Sequence, residues 1–373
     1  MSFKELFDTY QWEDVEKSIT AKTARDVEIA LAKDRCDLED FKALISPAAL
    51  PYLEQMAQKS HQNTLRRFGK TMQLYVPLYL SNKCHNSCVY CGFSVKNKIH
   101  RRVLTDSEIM QEVEVIKGMG FEHLLLVTGE SPREVGVDYL KNAIRLLRPH
   151  FAQITCEVQP MDQADYETLA AEGMHGVYVY QETFNKDRYP EYHPAGKKAD
   201  FYYRLETPER LGHAGVHKVG LGALIGLEEW RTELFFLAMH LNYLEKKFWQ
   251  TKYSISFPRM RPFTGGFQPN VIMSDRELVQ AICAFRLFDN EVELSISTRE
   301  SAAFRDNLVK LGVTAMSAGS KTNPGGYAVS PETLEQFNIN DDRTPVEICE
   351  MLRSKGYEAV WKDWDISMIA LES

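Results

Sequence analysis

The chain is poor in cysteine, with 7 in 373 residues, yet three of them fall within eight positions. It has no run of 18 apolar residues, so no membrane-spanning helix is expected. Its first residues, Met1-Ser2-Phe3-Lys4-Glu5, contain no apolar signal core. An odd cysteine count without an export signal argues against a disulfide framework. Positive charge is not in excess: the net charge is −8, which argues against a general nucleic-acid binder with a basic face. No Gly- or Ser-rich linker divides the chain, and its length suits one large domain with extensions, or two domains. An apolar content of 44% is enough for a sizeable core. The expectation from these absences is a cytoplasmic protein that binds neither membrane nor nucleic acid.

What is present is a cysteine cluster. Cys84, Cys88 and Cys91 are spaced C-x3-C-x2-C and follow an apolar, strand-like run from Leu74 to Leu80. A structural zinc site wants four ligands, and His85, adjacent to Cys84, is poorly placed to close a tetrahedron with it. Thiolates also hold iron–sulfur clusters, and three of them on a four-iron cluster leave one iron open to a small molecule with an amine and a carboxylate. This spacing, with Tyr90 before the last cysteine, resembles the signature of radical S-adenosylmethionine enzymes. The resemblance implies a 4Fe-4S cluster on Cys84, Cys88 and Cys91, and S-adenosylmethionine as the second cofactor. The basic stretch after the cysteines, Lys96, Lys98, His100, Arg101 and Arg102, reads as a solvated loop, with a place beside an anionic ligand as the lesser alternative.

Residues 1–70 read as a helical extension with no strand candidate. From about residue 72 the pattern alternates. Strands are predicted at Leu74–Leu80, His123–Thr128, Ile154–Val158, Gly176–Gln181, Lys218–Ile225, Tyr253–Phe257, Val292–Ser297 and Thr314–Ala318. Helical patterns fill the gaps, near 106–119, 136–149, 162–173, 200–214, 230–249, 274–288 and 301–311. This is the rhythm of an α/β chain folded as a (β/α)8 barrel over 71–320, with a doubly wound open sheet as the alternative. Residues 321–373 read as a short C-terminal extension without further alternation. In it a helix is predicted over Thr344–Lys355, and Val360-Trp361-Lys362-Asp363-Trp364-Asp365 packs back on the barrel.

A barrel carries its chemistry at the C-terminal ends of its strands. Thr128-Gly129-Glu130 resembles the glycine–glutamate motif that receives the methionine ammonium, and Gly129 allows close backbone approach. Glu157 and Gln159 are candidates for ribose hydroxyls, since a carboxylate accepts paired hydroxyls. Arg204 is a candidate for the methionine carboxylate. Gly220-Leu221-Gly222 through Ile225 resembles an adenine-contacting strand with Ile225 as the apolar contact, although a Gly-rich strand is equally a tightly packed stave. Tyr90 belongs to the cofactor set through its place in the signature. Deeper in the barrel, Arg259, Arg261 and Arg299 converge, with Glu300 and Glu182 as carboxylate partners and Ser317 and Ser320 as hydroxyls. Together these suit an amino-acid substrate; phosphate binding near the last two strands is the rival.

Over nearly its whole length the chain resembles the 2-iminoacetate synthases, radical tyrosine lyases of thiamin thiazole biosynthesis. The resemblance rests on Tyr75–Asn82 leading into the cysteines, Gly120–Glu130, Tyr180-Gln181-Glu182-Thr183, Gly215–Gly226, Ser256-Phe257-Pro258-Arg259, Ser297-Thr298-Arg299-Glu300 and Pro324-Gly325-Gly326-Tyr327. It implies cleavage of the Cα–Cβ bond of L-tyrosine to 2-iminoacetate and 4-cresol. It implies as partners the thiazole synthase and a flavodoxin-type electron donor. By the same resemblance Arg299 receives the tyrosine carboxylate, Ser317 or Ser320 assists, and Glu300 belongs to the same set. The tyrosine lyases of hydrogenase maturation and the tryptophan lyases are similar too. The former carry a further C-terminal cysteine motif, whereas Cys349 is the only cysteine here after Cys283, which favours the thiamin branch. A non-enzymatic iron–sulfur scaffold is the alternative from another class.

Overall fold

The computed structural model describes residues 1–263, 266–330 and 335–362. Five helices come first: α1 (Phe3–Phe7), α2 (Trp12–Thr20), α3 (Ala24–Ala32), α4 (Leu38–Ile45) and α5 (Leu53–Phe68). Three of them start on capping boxes. Ser2, Thr23 and Asp37 accept the backbone N–H three residues on, and Glu5, Asp26 and Asp40 reach back to the cap. These helices form a cover. Phe41 packs on Phe285 and Phe288, and the Gln280 amide donates to the Leu44 and Ser46 carbonyls.

Eight strands come after the cover: β1 (Thr71–Ser81), β2 (His123–Thr128), β3 (Gln153–Glu157), β4 (Gly176–Tyr178), β5 (Lys218–Gly222), β6 (Lys252–Ser256), β7 (Glu293–Ile296) and β8 (Ala315–Ser317). Each pairs in parallel with the next, and β1 pairs with both β8 and β2, so the ring closes. That closure is the predicted (β/α)8 barrel and excludes the open sheet. Helices on the outside and side chains in the lumen bury both faces, which is why β2 reads as a continuous apolar run.

Two predicted elements, the fourth strand and the helix over 200–214, are less regular than expected for local reasons, and β5 stops at Gly222, short of the predicted Ile225. The β4 pairing continues past Tyr178 without a regular ladder: the Val179 and Gln181 N–H groups donate to the Gly220 and Gly222 carbonyls, and Glu182, at φ +70°, still bridges Ala223 and accepts the Leu224 N–H. The predicted helix over 200–214 is two helices, Phe201–Leu205 and Thr207–His213, because Pro208 has no N–H to continue the first.

The C-terminal part holds more regular structure than expected. A short strand, β9 (Glu358–Val360), pairs in parallel with Thr71–Gln73 of β1. Three residues are too few to show alternation, so sequence pattern alone passed over it. The helix before it runs from Pro345 to Ser354. Trp361 packs its ring on Phe121, whereas Asp363, Trp364 and Asp365 of the expected aromatic tail lie outside the described residues. Residues 336–341 cross the barrel mouth. The Gln336 N–H donates to Thr322, that of Asn338 to Pro262, and those of Asn340 and Asp341 to Thr298. The buried Asp341 carboxylate pins this crossing between Arg305 and Arg343. Among the described residues no helix is long and apolar enough to cross a membrane.

Candidate active site

Because the strands are parallel, the loops at their C-terminal ends meet at one mouth. β1 delivers the cysteine loop there, and Arg101 holds that loop in shape. Its guanidinium donates to the carbonyls of Asn82, Phe93, Ser94 and Asn97 at 2.8, 2.7, 2.6 and 3.1 Å. The Asn97 amide donates in turn to the Cys91 and Gly92 carbonyls. Arg101 is therefore a backbone clamp and not the solvated charge its neighbours suggested. From the other side, the His85 N–H donates to the Glu130 carbonyl at 3.0 Å. Gly129 packs so closely that a Cβ there would stand 2.2 Å from the Lys83 carbonyl oxygen. Charge-assisted hydrogen bonds contribute about 1.5–3 kcal/mol each and are not additive. Arg101→Met is expected to lower the melting temperature and to halve, at least, the iron taken up on anaerobic reconstitution, as read by iron counting.

The three thiols line one cavity at the barrel mouth, together with Gly129, Glu130, Lys198 and Arg204. Burial pushes all three thiols up; the Glu130 charge adds to this for Cys84, and the Lys198 ammonium opposes it for Cys88 and Cys91. Cys84, Cys88 and Cys91 would hold the iron as thiolates, since a ligating thiol gives up its proton to the metal. Among the described residues no three His, Cys, Asp or Glu side chains converge as around a single ion. Thiolates of a cluster stand apart, each on its own iron. A donor set of three soft thiols facing one cavity fits a 4Fe-4S group with one iron left for a further ligand.

One wall of this cavity is a buried quartet of charges. Arg204 donates to Glu130 at 2.9 Å and to the Tyr180 carbonyl at 2.6 Å, and Lys198 donates to Glu182 at 2.6 Å. The cross pairs, Lys198 with Glu130 and Arg204 with Glu182, are 4.0 and 3.8 Å apart. Asn86 donates to the second Glu130 oxygen at 2.7 Å. Burial would raise Glu130, but the charges of Arg204 and Lys198 outweigh it and hold the carboxyl below its ordinary range. Tyr90 is fixed by His193: the phenol donates to Nε2 at 2.7 Å, and Nδ1–H donates to the Tyr189 carbonyl at 3.1 Å. Burial, with Lys198 and Arg204 nearby, drops His193 to about 2, so the imidazole is the neutral acceptor this arrangement needs.

The cavity continues into a chamber deeper in the barrel, lined from β1, β6, β7 and β8. Glu157 at the end of β3, Arg299 after β7, Gln336 and Phe337 line both spaces. Among the described residues neither Glu157 nor Arg299 has an ion-pair partner. Burial pushes Glu157 up to about 7, with the Arg299 charge only partly offsetting it. Burial also lowers Arg299, against the pull of Tyr79 and Glu157, and its guanidinium carbon lies 3.4 Å from the centre of the Phe337 ring. The chamber walls carry Tyr75, Tyr79, Tyr178 and Tyr180. Ser317 and Ser320 line it as well: Ser317 Oγ accepts the Thr298 N–H at 3.1 Å, and Ser320 Oγ is buried with no partner among the described residues.

Four expected features stand elsewhere. Glu300 lines neither space; it is buried under Arg259 and Arg261, and Arg261 donates to it at 2.9 Å. Three converging guanidiniums needed a counter-charge, and Glu300 serves two of them. Gln159 is spent on backbone: its amide donates to the Val135 carbonyl at 2.8 Å and its oxygen accepts the Ser131 N–H, on an outer groove behind Arg204. Ile225 points into the core, and Leu224 lines the cavity instead, a shift of one residue that turns a side chain to the other face. The room left by Gly220 and Gly222 is filled from within: a Cβ would stand 1.9 Å from the Tyr178 ring and 2.8 Å from the Tyr180 ring.

Two family models match the chain, the Radical SAM superfamily over residues 78–236 and the Biotin and Thiamin Synthesis associated domain over 256–358. The 2-iminoacetate synthase of Escherichia coli (strain K12) is 50% identical over 365 residues, covering 98% of this chain and 97% of its own. That of Salmonella typhimurium is 49% identical over the same shares. The chain belongs to the 2-iminoacetate synthase family. The crystal structure of the FeFe-hydrogenase maturase HydG from Carboxydothermus hydrogenoformans is similar at TM-score 0.90 and 29% identity, covering 98% of this chain and 86% of that one. Methylornithine synthase shares the fold, at TM-score 0.73 and 18% identity over 90% of this chain and 97% of that one.

The family's cofactors, a 4Fe-4S cluster and S-adenosylmethionine, are those of this synthase. In it, sequence reasoning missed Lys198, Asn86, Gln336 and Phe337. Lys198 follows Lys197 in a one-turn 3-10 helix, Lys197–Ala199, and in the sequence the two look like a solvated pair. Gln336 and Phe337 lie far along the chain from the strands they face. Only Asn86, inside the cysteine stretch, carried a local signal.

Proposed function

We propose that this 2-iminoacetate synthase cleaves L-tyrosine between Cα and Cβ, giving 2-iminoacetate and 4-cresol with 5′-deoxyadenosine and methionine. The observation that carries the reading is one continuous space with three thiols at its mouth and an unpaired guanidinium, Arg299, deeper among tyrosine rings. When bound, the cluster and S-adenosylmethionine would supply a carbon-centred radical that takes a hydrogen atom from the substrate, at the cost of one electron; the aromatic fragment left by Cα–Cβ cleavage becomes 4-cresol on taking a second electron from the external donor and a proton. The chain's own residues do the rest. The Gly129 backbone and Glu130 receive the methionine ammonium, and Arg204 stands beside them for its carboxylate; the quartet of alternating charges suits a zwitterion. Tyr90, held by His193, closes the side of the cofactor space, and Glu157 accepts the ribose hydroxyls. Arg299 takes the tyrosine carboxylate, the free Ser320 hydroxyl or Ser317 takes the amine, and the aromatic walls hold the phenol ring out of water. The test is substrate choice: anaerobic incubation with tyrosine forms 4-cresol, and tryptophan in its place gives no cleaved indole.

A carboxylate accepts two hydroxyls only when ionised. With Glu157 at about 7, S-adenosylmethionine affinity is expected to fall as pH drops below that value and to level off above it. Glu157→Gln is expected to abolish this pH dependence and to weaken binding about tenfold to a hundredfold, from losing about 1.5–3 kcal/mol of charged hydrogen bonding. Equilibrium binding across pH checks both.

Exposed Lys96 and Lys98 beside the cysteine loop suit an acidic, flavodoxin-type electron donor. A reactive imine product favours direct transfer to a thiazole synthase partner, as does the match to the thiamin-associated domain. A cytoplasmic location, and the division into a helical cover (1–70), a barrel (71–320) and a C-terminal extension (321–373), belong to the same proposal.

A further inference from the structure

The crossing segment touches the cysteine loop at one side chain. The Gln336 amide nitrogen stands 3.8 Å from Cys91 Sγ, within hydrogen-bond range for sulfur. The other end of the same amide accepts the Tyr79 hydroxyl at 2.8 Å. That bond fixes which way the amide faces, since a phenol donating to the oxygen leaves the NH2 group for the sulfur. The Gln336 backbone is fixed as well. Its N–H donates to the Thr322 carbonyl at 2.9 Å, and its carbonyl oxygen would lie 2.5 Å from a Cβ at residue 92, so it packs directly on Gly92, next to Cys91. Tyr79 is buried in β1. A residue 245 positions away in sequence is thus held against one ligand of the cluster from both ends of its side chain.

We propose that Gln336 is a positioning residue that tunes the cluster, donating a hydrogen bond to the Cys91 thiolate and setting how readily the cluster accepts its electron. Hydrogen bonds to the sulfurs are among the levers on cluster potential. Reduction adds negative charge that spreads onto the thiolates, so an N–H dipole aimed at one of them favours the reduced form. Tyr79 holds the amide to that task. Phe337, the next residue, lies on Arg299, so one short segment joins the cluster to the substrate side. The inference rests on the three cysteines holding the cluster and not on tyrosine being the substrate.

The test is a redox titration of the reconstituted protein, monitored by electron paramagnetic resonance, on the parent protein, Gln336→Leu and Tyr79→Phe. Gln336→Leu is expected to keep full iron content and to move the midpoint to more negative potential. At the parent midpoint the ratio of reduced to oxidised cluster falls about tenfold, which is about 59 mV for one electron. Tyr79→Phe, which leaves the amide in place but unheld, is expected to shift in the same direction by less. Gln336→Asn, too short to bridge, should behave like the leucine variant. Unchanged midpoint and signal in Gln336→Leu at full iron content overturn the proposal. Should that variant take up little iron, the Tyr79→Phe titration decides, and an unshifted midpoint there overturns it equally. A shifted midpoint in a protein that forms no 4-cresol leaves this inference standing while the tyrosine reading fails.

Discussion

Cys88→Ser is expected to lose the cluster and with it all cleavage of S-adenosylmethionine, a fall of about a thousandfold or more, equal to at least about 4 kcal/mol at 1.36 kcal/mol per tenfold. Cys88 is the most enclosed of the three cluster thiols and lies in the cavity wall with Cys84 and Cys91. A serine hydroxyl matches its size but is not a soft anionic donor, so the iron it should hold loses its ligand. The fold should survive, because the replacement is nearly isosteric and the loop is shaped by Arg101 and Asn97 through backbone carbonyls. Cys283→Ser is the control. Its thiol is buried in an outer helix, 3.7 Å from the Leu311 carbonyl, and its loss should leave iron content unchanged. Iron and sulfide counting with visible absorbance reads both variants.

Arg299→Met is expected to separate cofactor chemistry from substrate chemistry. Arg299 has no ion pair among the described residues, so its charge is available to a substrate carboxylate. Removing one partner of a buried charge pair costs about 2–5 kcal/mol, roughly thirtyfold to several thousandfold in tyrosine-dependent turnover. Iron content should stay near the parent value, and S-adenosylmethionine binding should as well when compared at alkaline pH, where Glu157 stays ionised without the Arg299 charge that partly offsets its burial. 5′-Deoxyadenosine formed without 4-cresol would mark loss of substrate placement. Arg299→Lys should recover little, because a single ammonium does not reproduce a planar fork lying on the Phe337 ring. Parallel measurement of 4-cresol and 5′-deoxyadenosine against tyrosine concentration checks this.

Much of this was legible before any coordinates. Eight strand-like runs alternating with helices state a parallel α/β sheet, because parallel strands buried on both faces are rich in apolar residues, and the β1–β8 pairing closes it into the barrel. The cysteine spacing states the cluster because the chemistry is local. Readings failed where a residue's role depends on its partners. Glu300 stands at a strand end with the right chemistry, but two guanidiniums claim it. Gln159 is claimed by backbone. Gly220 and Gly222 mark close packing, and the sequence does not say that tyrosine rings from the neighbouring strand supply it. Leu224 replaces Ile225 because the exact register at a strand end is set by three-dimensional pairing. Lys198 sits in a single 3-10 turn and Gln336 in a loop, where periodicity carries no information about which cavity a side chain enters.

The central claim is that one space brings a cluster-bound cofactor and tyrosine together. Product analysis of a single anaerobic turnover tests it most directly, using reconstituted protein, one equivalent of S-adenosylmethionine, a reductant and tyrosine. Equal amounts of 5′-deoxyadenosine and 4-cresol, with glyoxylate from hydrolysis of the imine, are the predicted result. 5′-Deoxyadenosine with intact tyrosine, or cleavage that also proceeds in Cys88→Ser, would contradict it.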